Sequence, residues 1–208
     1  MQVKSKTRWT FGILFFVAVL ALGPPAIRTI QIASSADGLL SLASFSDEDF
    51  DWNPWSDNCY LIRQDIAVWL LSNYDWPYNS RGDLLRGSEP MPLINAALAS
   101  RGLHGSGAFA VVEDRRMLLL MHVFIYRGES IEGRWRGYTP LQAAILQGDL
   151  QAVVLLVERG ADLTALIERP GKAMHGMNSL EFVELLYSKH PDRFDTIRQY
   201  LRQLSDFA

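Results

Sequence analysis

The sequence predicts an all-α fold: a stack of three to four short helix pairs carried behind an apolar N-terminal segment. Three observations predict it. The stretch GYTPLQAAILQGDLQAVVLLVERGADL, residues 137 to 163, holds two short apolar-faced segments punctuated by Gly137, Gly148 and Gly160. Weaker copies of that punctuation lie on both sides of it. The chain also begins with Lys4, Lys6 and Arg8, followed by a stretch without charge from Trp9 to Ile27.

The N-terminal stretch has the form of an export segment, a basic start and then an apolar run, TFGILFFVAVLAL. Its apolar part alone is shorter than the ~20 residues of a spanning helix, and the uncharged PPAI lengthens it. Residues 1–30 therefore read as a signal anchor or a signal peptide. Ala21-Leu22-Gly23 offers the small residues that a signal peptidase needs, but Pro24 directly behind them obstructs cleavage, which favours an uncleaved anchor. The basic end stays inside and the remainder is exported. The expected location is the inner membrane facing the periplasm, or the periplasm itself if the segment is removed.

Residues 31–58 read as a linker that turns acidic and aromatic. Asp47, Asp49, Asp51 and Asn53 alternate like calcium-loop ligands, but Trp52 stands at the turn glycine and Asn58 at the bidentate Glu, so no calcium site is expected. Phe50, Trp52 and Trp55 are expected to fold back on the first helix of the body.

Charge narrows the partners. Residues 37–208 carry 16 bases against 23 acids, a net of −7, which gives no overall field for a phosphate backbone. Nucleic acid is thus not an expected partner. Cys59 is the single cysteine, so no intramolecular disulfide and no cysteine zinc site can form; it reads as a small buried hydrophobe.

Residues 59–208 hold the helix pairs. Thr139 is placed to cap a helix and Pro140 to begin one, since its ring presets φ and its missing donor falls where a donor would go unpaired. Leu141, Ala144 and Ile145 recur at helical spacing as one apolar face. Gly148-Asp149 ends that helix, and a second stripe of Leu150, Val153, Val154 and Val157 runs to Gly160. Two such stripes cannot be buried by one pair alone, so the pair requires stacked neighbours.

At these residues the chain resembles the ankyrin repeat. The resemblance rests on Gly137, Thr139, Pro140, Leu141, Ala143, Ala144, Gly148, Leu155, Leu156, Gly160, Ala161 and Asp162. One position departs: Gln142 stands where the family carries histidine, so the bond that ties repeats together must come from an amide or be absent. Degenerate copies flank the repeat. Upstream, PLINAALASRG from Pro92 and MHVFIYRGESI echo its two halves, with GLHGSGAFAVVEDRR inserted between them and a short β-hairpin expected at Ala108 to Val112. Earlier still, DIAVWLLSNYDWPYN is expected to form the second helix of an incomplete first repeat. Downstream, Asn178 and Glu181 make a capping box, and Phe194, Ile197, Leu201 and Leu204 stripe a terminal helix.

No chemistry is legible. His104, His122, His175 and His190 have no metal-binding spacing, Glu113-Asp114 is an isolated acidic pair, and Gly105-Ser106-Gly107 is too short to cradle phosphate. No catalytic residue, metal or cofactor is expected. The resemblance implies a protein partner, met through the turns between repeats. Those turns carry SIEGRWRGY and IERPGKAMHGM, which present Arg134, Trp135, Arg136, Tyr138, Lys172, Met174 and His175 as the expected contacts. An exported binding module without enzyme signature is most concretely an immunity protein, an inhibitor that neutralises a lipid- or wall-degrading toxin in the bacterial periplasm. A membrane-anchored envelope adaptor is the alternative reading, and a hidden hydrolase a third.

Overall fold

The protein is described by a computed structural model covering residues 23–33, 35–45, 53, 56, 59–74, 91–101 and 108–205. The described residues are helical with connecting turns and contain no strand; a single isolated bridge joins Trp135 and Tyr138. The N-terminal apolar run up to Leu22, the expected packing of Phe50, Trp52 and Trp55, and the glycines at 105 and 107 lie outside the described residues. Among the described residues no helix is long and apolar enough to cross a membrane. The chain divides into two compact units, Met1–Trp76 and Pro77–Ala208.

In the first unit, α1 (23–33) is followed by α2 (Ala36–Ser44) and α3 (Gln64–Asn73). The Ser35 hydroxyl caps α2 by accepting the Gly38 N–H at 3.1 Å. A β-carbon at Gly38 would stand 1.9 Å from the Ile32 carbonyl, so only glycine lets the end of α1 pass this close. Leu39, Leu42 and Ala43 of α2 are fully buried, as are Ala67 and Leu71 of α3, which packs against α2. The helix expected in an incomplete first repeat is thus a helix, with α2 as its neighbour. Thr29 fixes α1 to the approach to α3 by accepting the Leu61 N–H at 2.8 Å. Cys59 is buried, as expected of a small hydrophobe.

The second unit is a row of helix pairs: α4 (Leu93–Ser100) with α5 (Ala108–Tyr126), α6 (Pro140–Gln147) with α7 (Leu150–Glu158), and α8 (Ser179–Lys189) with α9 (Pro191–Ser205). Helices α4, α6 and α8 lie side by side in one row; α5, α7 and α9 form the other. Three helix pairs are therefore stacked among the described residues of this unit. Leu93, Ile94, Leu98, Leu120, Met121, Leu141, Ile145, Val153, Leu156, Phe182, Val183, Phe194, Ile197 and Leu201 form the core between the rows.

Two expectations need correction. Ala108 to Val112 is no β-hairpin but the first part of α5. Nothing between Ala108 and Tyr126 reverses the chain, since the stretch holds no glycine or proline, and the strong helix formers behind Val112 carry the helix back through it. In α7 the fully buried residues are Ala152, Val153 and Leu156, while Leu150, Val154 and Val157 are only half-buried. LQAVVLLVE is apolar at nearly every position, and packing between α5 and α9 chooses the stripe.

Caps fix where the helices begin. Thr139 and Gln142 form a reciprocal capping box on α6, and Asn178 and Glu181 form the expected one on α8. Pro92 has no capping side chain, so α4 takes its cap from the far end of its own pair: Glu129 accepts the Leu93 N–H at 2.9 Å. One pair further on, Glu132 accepts the Asp162 N–H at 2.8 Å.

Candidate protein-binding surface

Between α5 and α6 the chain makes a two-residue reversal. Trp135 and Tyr138 exchange backbone hydrogen bonds of 3.0 and 3.1 Å, and the two residues between them, Arg136 and Gly137, have φ of 53° and 78°. Two successive positive φ values are the mark of the two-residue turn that matches the twist of paired strands. Gly137 is fixed twice over. Besides its φ, a β-carbon there would come within 2.1 Å of the Glu168 carbonyl. That contact is where the next turn docks, the Glu168 N–H donating to the Gly137 carbonyl at 2.9 Å.

Arg136 occupies a backbone region that costs an L-residue about 1 kcal/mol and that glycine would enter freely. Its side chain is exposed, and its guanidinium lies 4.3 Å from the centre of the Trp135 ring. Trp135 is half-buried. The pair makes a fixed platform of aromatic face and cation at the tip of the turn.

The other expected contacts divide. Tyr138 is buried and stacks on Phe182 of α8, ring centres 5.9 Å apart, with Arg169 over its ring at 5.2 Å. It is held within the stack. Arg134 ties the two turns, donating to the Leu166 carbonyl at 2.8 Å and meeting the Glu168 carboxylate at 3.4 Å. In the second turn Lys172 and His175 are exposed and Met174 is half-buried. His175 Nδ1 donates to the Ile167 carbonyl at 3.1 Å, so that nitrogen carries the proton. Arg169 lies against Gly137, its Cγ 2.9 Å from where a β-carbon would stand, and thereby joins the two turns in one surface. Sequence reasoning passed it over, although it precedes Pro170-Gly171 in a turn already singled out.

Beneath this surface the departure at Gln142 is resolved. Its side chain is fully buried, accepts the Thr139 N–H at 3.0 Å and donates to the Ala165 carbonyl at 2.7 Å. The amide thus supplies the tie between one pair and the turn that leads to the next. At the opposite end, a cleft of about 380 Å³ is lined by Arg101, Asp114, Asp149 and Gln151 among others. Its one cation is already engaged. Arg101 donates to both Asp149 oxygens and to the Asp114 carbonyl, while Asp149 also caps α7 by accepting the Ala152 N–H at 3.0 Å. The cleft marks a structural tie between the first two pairs.

Titration adds little chemistry. Thr164 donates to Asp162 through its hydroxyl at 2.7 Å and its N–H at 2.8 Å, which holds the carboxyl below its ordinary value. Burial, and then the charge of Glu158, push the Tyr200 hydroxyl up. His122 sits half-buried on α5 with the Arg159 guanidinium 2.9 Å from its Nδ1. Among the described residues no group of His, Cys, Asp or Glu could hold a metal ion.

A row of stacked helix pairs, linked by turns that carry exposed cationic side chains, is the architecture of a helical-repeat protein. The middle pair carries the match: residues 136–167 match the family model of the ankyrin repeat. No curated protein and no solved structure matches the chain. Ankyrin repeats are protein–protein interaction modules, typically without catalysis, so a protein partner is implied.

Proposed function

We propose that this chain is an exported inhibitor, an immunity protein that binds and neutralises a toxin in the bacterial periplasm while anchored in the inner membrane by its first residues. The observation that carries the reading is the platform of Trp135 and Arg136, a strained turn on the ankyrin repeat with Arg136 exposed over a half-buried Trp135. Export is supported by Lys4, Lys6 and Arg8 ahead of an uncharged stretch with no acid before Asp37. An anchor would hold the inhibitor where a lipid- or wall-degrading toxin acts and raise its effective concentration there.

The testing experiment has two readouts. A reporter active only outside the cytoplasm is fused after Ala208; activity supports export, and silence beside an active cytoplasmic reporter rejects it. The product of the neighbouring gene is then expressed in the periplasm with and without this chain. Toxicity relieved by the parent but not by Trp135→Ala supports inhibition. Tight binding without relief identifies an adaptor instead.

A further inference from the structure

We propose that the surface around Trp135 takes a carboxylate-rich segment of its protein partner, an inference that rests on the reading of that surface as the docking face. The two docked turns carry three cations: Arg136 over the Trp135 ring, Arg169 over the Tyr138 ring, and Lys172, whose backbone N–H donates to the Arg169 carbonyl at 3.1 Å. No carboxylate among the described residues pairs with any of the three. Elsewhere in the same unit Arg101 sits on Asp149, Arg134 on Glu168, and Arg198 and Arg202 on Glu184. Glu168, next to Arg169 in the chain, is engaged by Arg134.

A guanidinium resting on an aromatic face leaves its N–H edge open, and that edge matches a carboxylate through two parallel hydrogen bonds. Arg136, which precedes Gly137, and Arg169, which lies against it, both rest in this way. Lys172 adds a third positive charge. The body is acidic, a net of −7 over residues 37–208 even with these three cations included, so this patch is a local exception to the sign of the whole. That combination disfavours a phosphate backbone or an anionic bilayer, which the body would repel, and favours a short acidic segment that meets only the tip. The half-buried Trp135 ring beside Arg136 suits an apolar side chain next to the acid.

The probe is a phage-displayed random-peptide library selected on the full chain. Enrichment of Asp and Glu is expected, with affinity falling about tenfold or more when Arg136, Arg169 and Lys172 are all changed to Glu, and with binding weakened by added salt. Circular dichroism and melting show whether that variant folds, and Arg136→Gln with Lys172→Gln, both exposed positions, gives a milder second test in the same direction. Peptides lost on Trp135→Ala yet without acidic excess would overturn the acidic preference and leave the docking face standing. Peptides indifferent to Trp135→Ala and to the charge changes would overturn the docking face as well. Charge-dependent binding of duplex DNA or phosphatidylglycerol vesicles, with no acidic peptide selected, would also overturn the proposal.

Discussion

The side-chain amide of Gln142 donates to the carbonyl of Ala165 at 2.7 Å, across 23 residues of chain, while its oxygen accepts the Thr139 N–H. One buried group therefore closes the cap of α6 and fastens the turn that carries Leu166 and Glu168. Gln142→Ala leaves the Ala165 carbonyl and the Thr139 N–H without this partner, at a cost of about 1–3 kcal/mol. Chemical denaturation measures the loss. Gln142→Glu removes only the donor and should destabilise too, because a carboxylate cannot serve the carbonyl.

Gly137 and Gly171 have nearly equal φ, 78° and 77°, but different surroundings. A β-carbon at Gly171 meets nothing within 4 Å, whereas at Gly137 it meets the Glu168 carbonyl. Gly171→Ala should cost about 1–2 kcal/mol from backbone strain alone, and Gly137→Ala about 3 kcal/mol or more. Equal melting of the two variants would show that the turns do not dock as described.

The tie at the other end is testable through Asp149. Asp149→Ala removes the cap of α7 and leaves the Arg101 guanidinium, with its side chain only 5% exposed, without a carboxylate. The expected loss is about 3 kcal/mol or more. Asp149→Asn keeps a capping oxygen and so should lose less than Asp149→Ala.

Much of this arrangement was legible beforehand, and the misses share a cause. The caps at Thr139 and Asn178 were readable because a cap is a local bargain between residues three apart. Leu141, Ala144 and Ile145 were readable as a face because they recur at helical spacing directly behind the Thr139-Pro140 start. The buried stripe of α7 was not, since a helix apolar on most sides shows no preference until neighbours choose one. The capping of α4 by Glu129 spans 36 residues, and the pairing of Arg101 with Asp149 spans 48, distances at which a sequence carries no signal for one pair over another. At the surface, Trp135 and Arg136 stood out by residue type, but the burial of Tyr138 depended on Phe182 of a later helix.

Asp162 gives a pH signature. Its carboxyl is held below the ordinary value of 3.8 by the Thr164 hydroxyl and N–H. A depressed folded-state pKa contributes stability that is present above 3.8 and is lost as pH falls through the folded value. Melting of the parent against Asp162→Asn across that range should show a gap that closes on acidification. A gap that stays constant would mean the carboxylate charge does not matter to this turn.

The central claim is that Trp135 and Arg136 serve binding and not folding. Arg136→Gly separates the two, because glycine relieves a positive φ of 53° while deleting the guanidinium. With the partner recovered by pull-down on the full chain, the Kd and Tm of the parent, Trp135→Ala and Arg136→Gly are compared. The account predicts about 30-fold weaker binding for Trp135→Ala, and weaker binding for Arg136→Gly with a Tm equal to or above that of the parent. Unchanged Kd in both variants, or a loss of binding that only follows a loss of Tm, would contradict it.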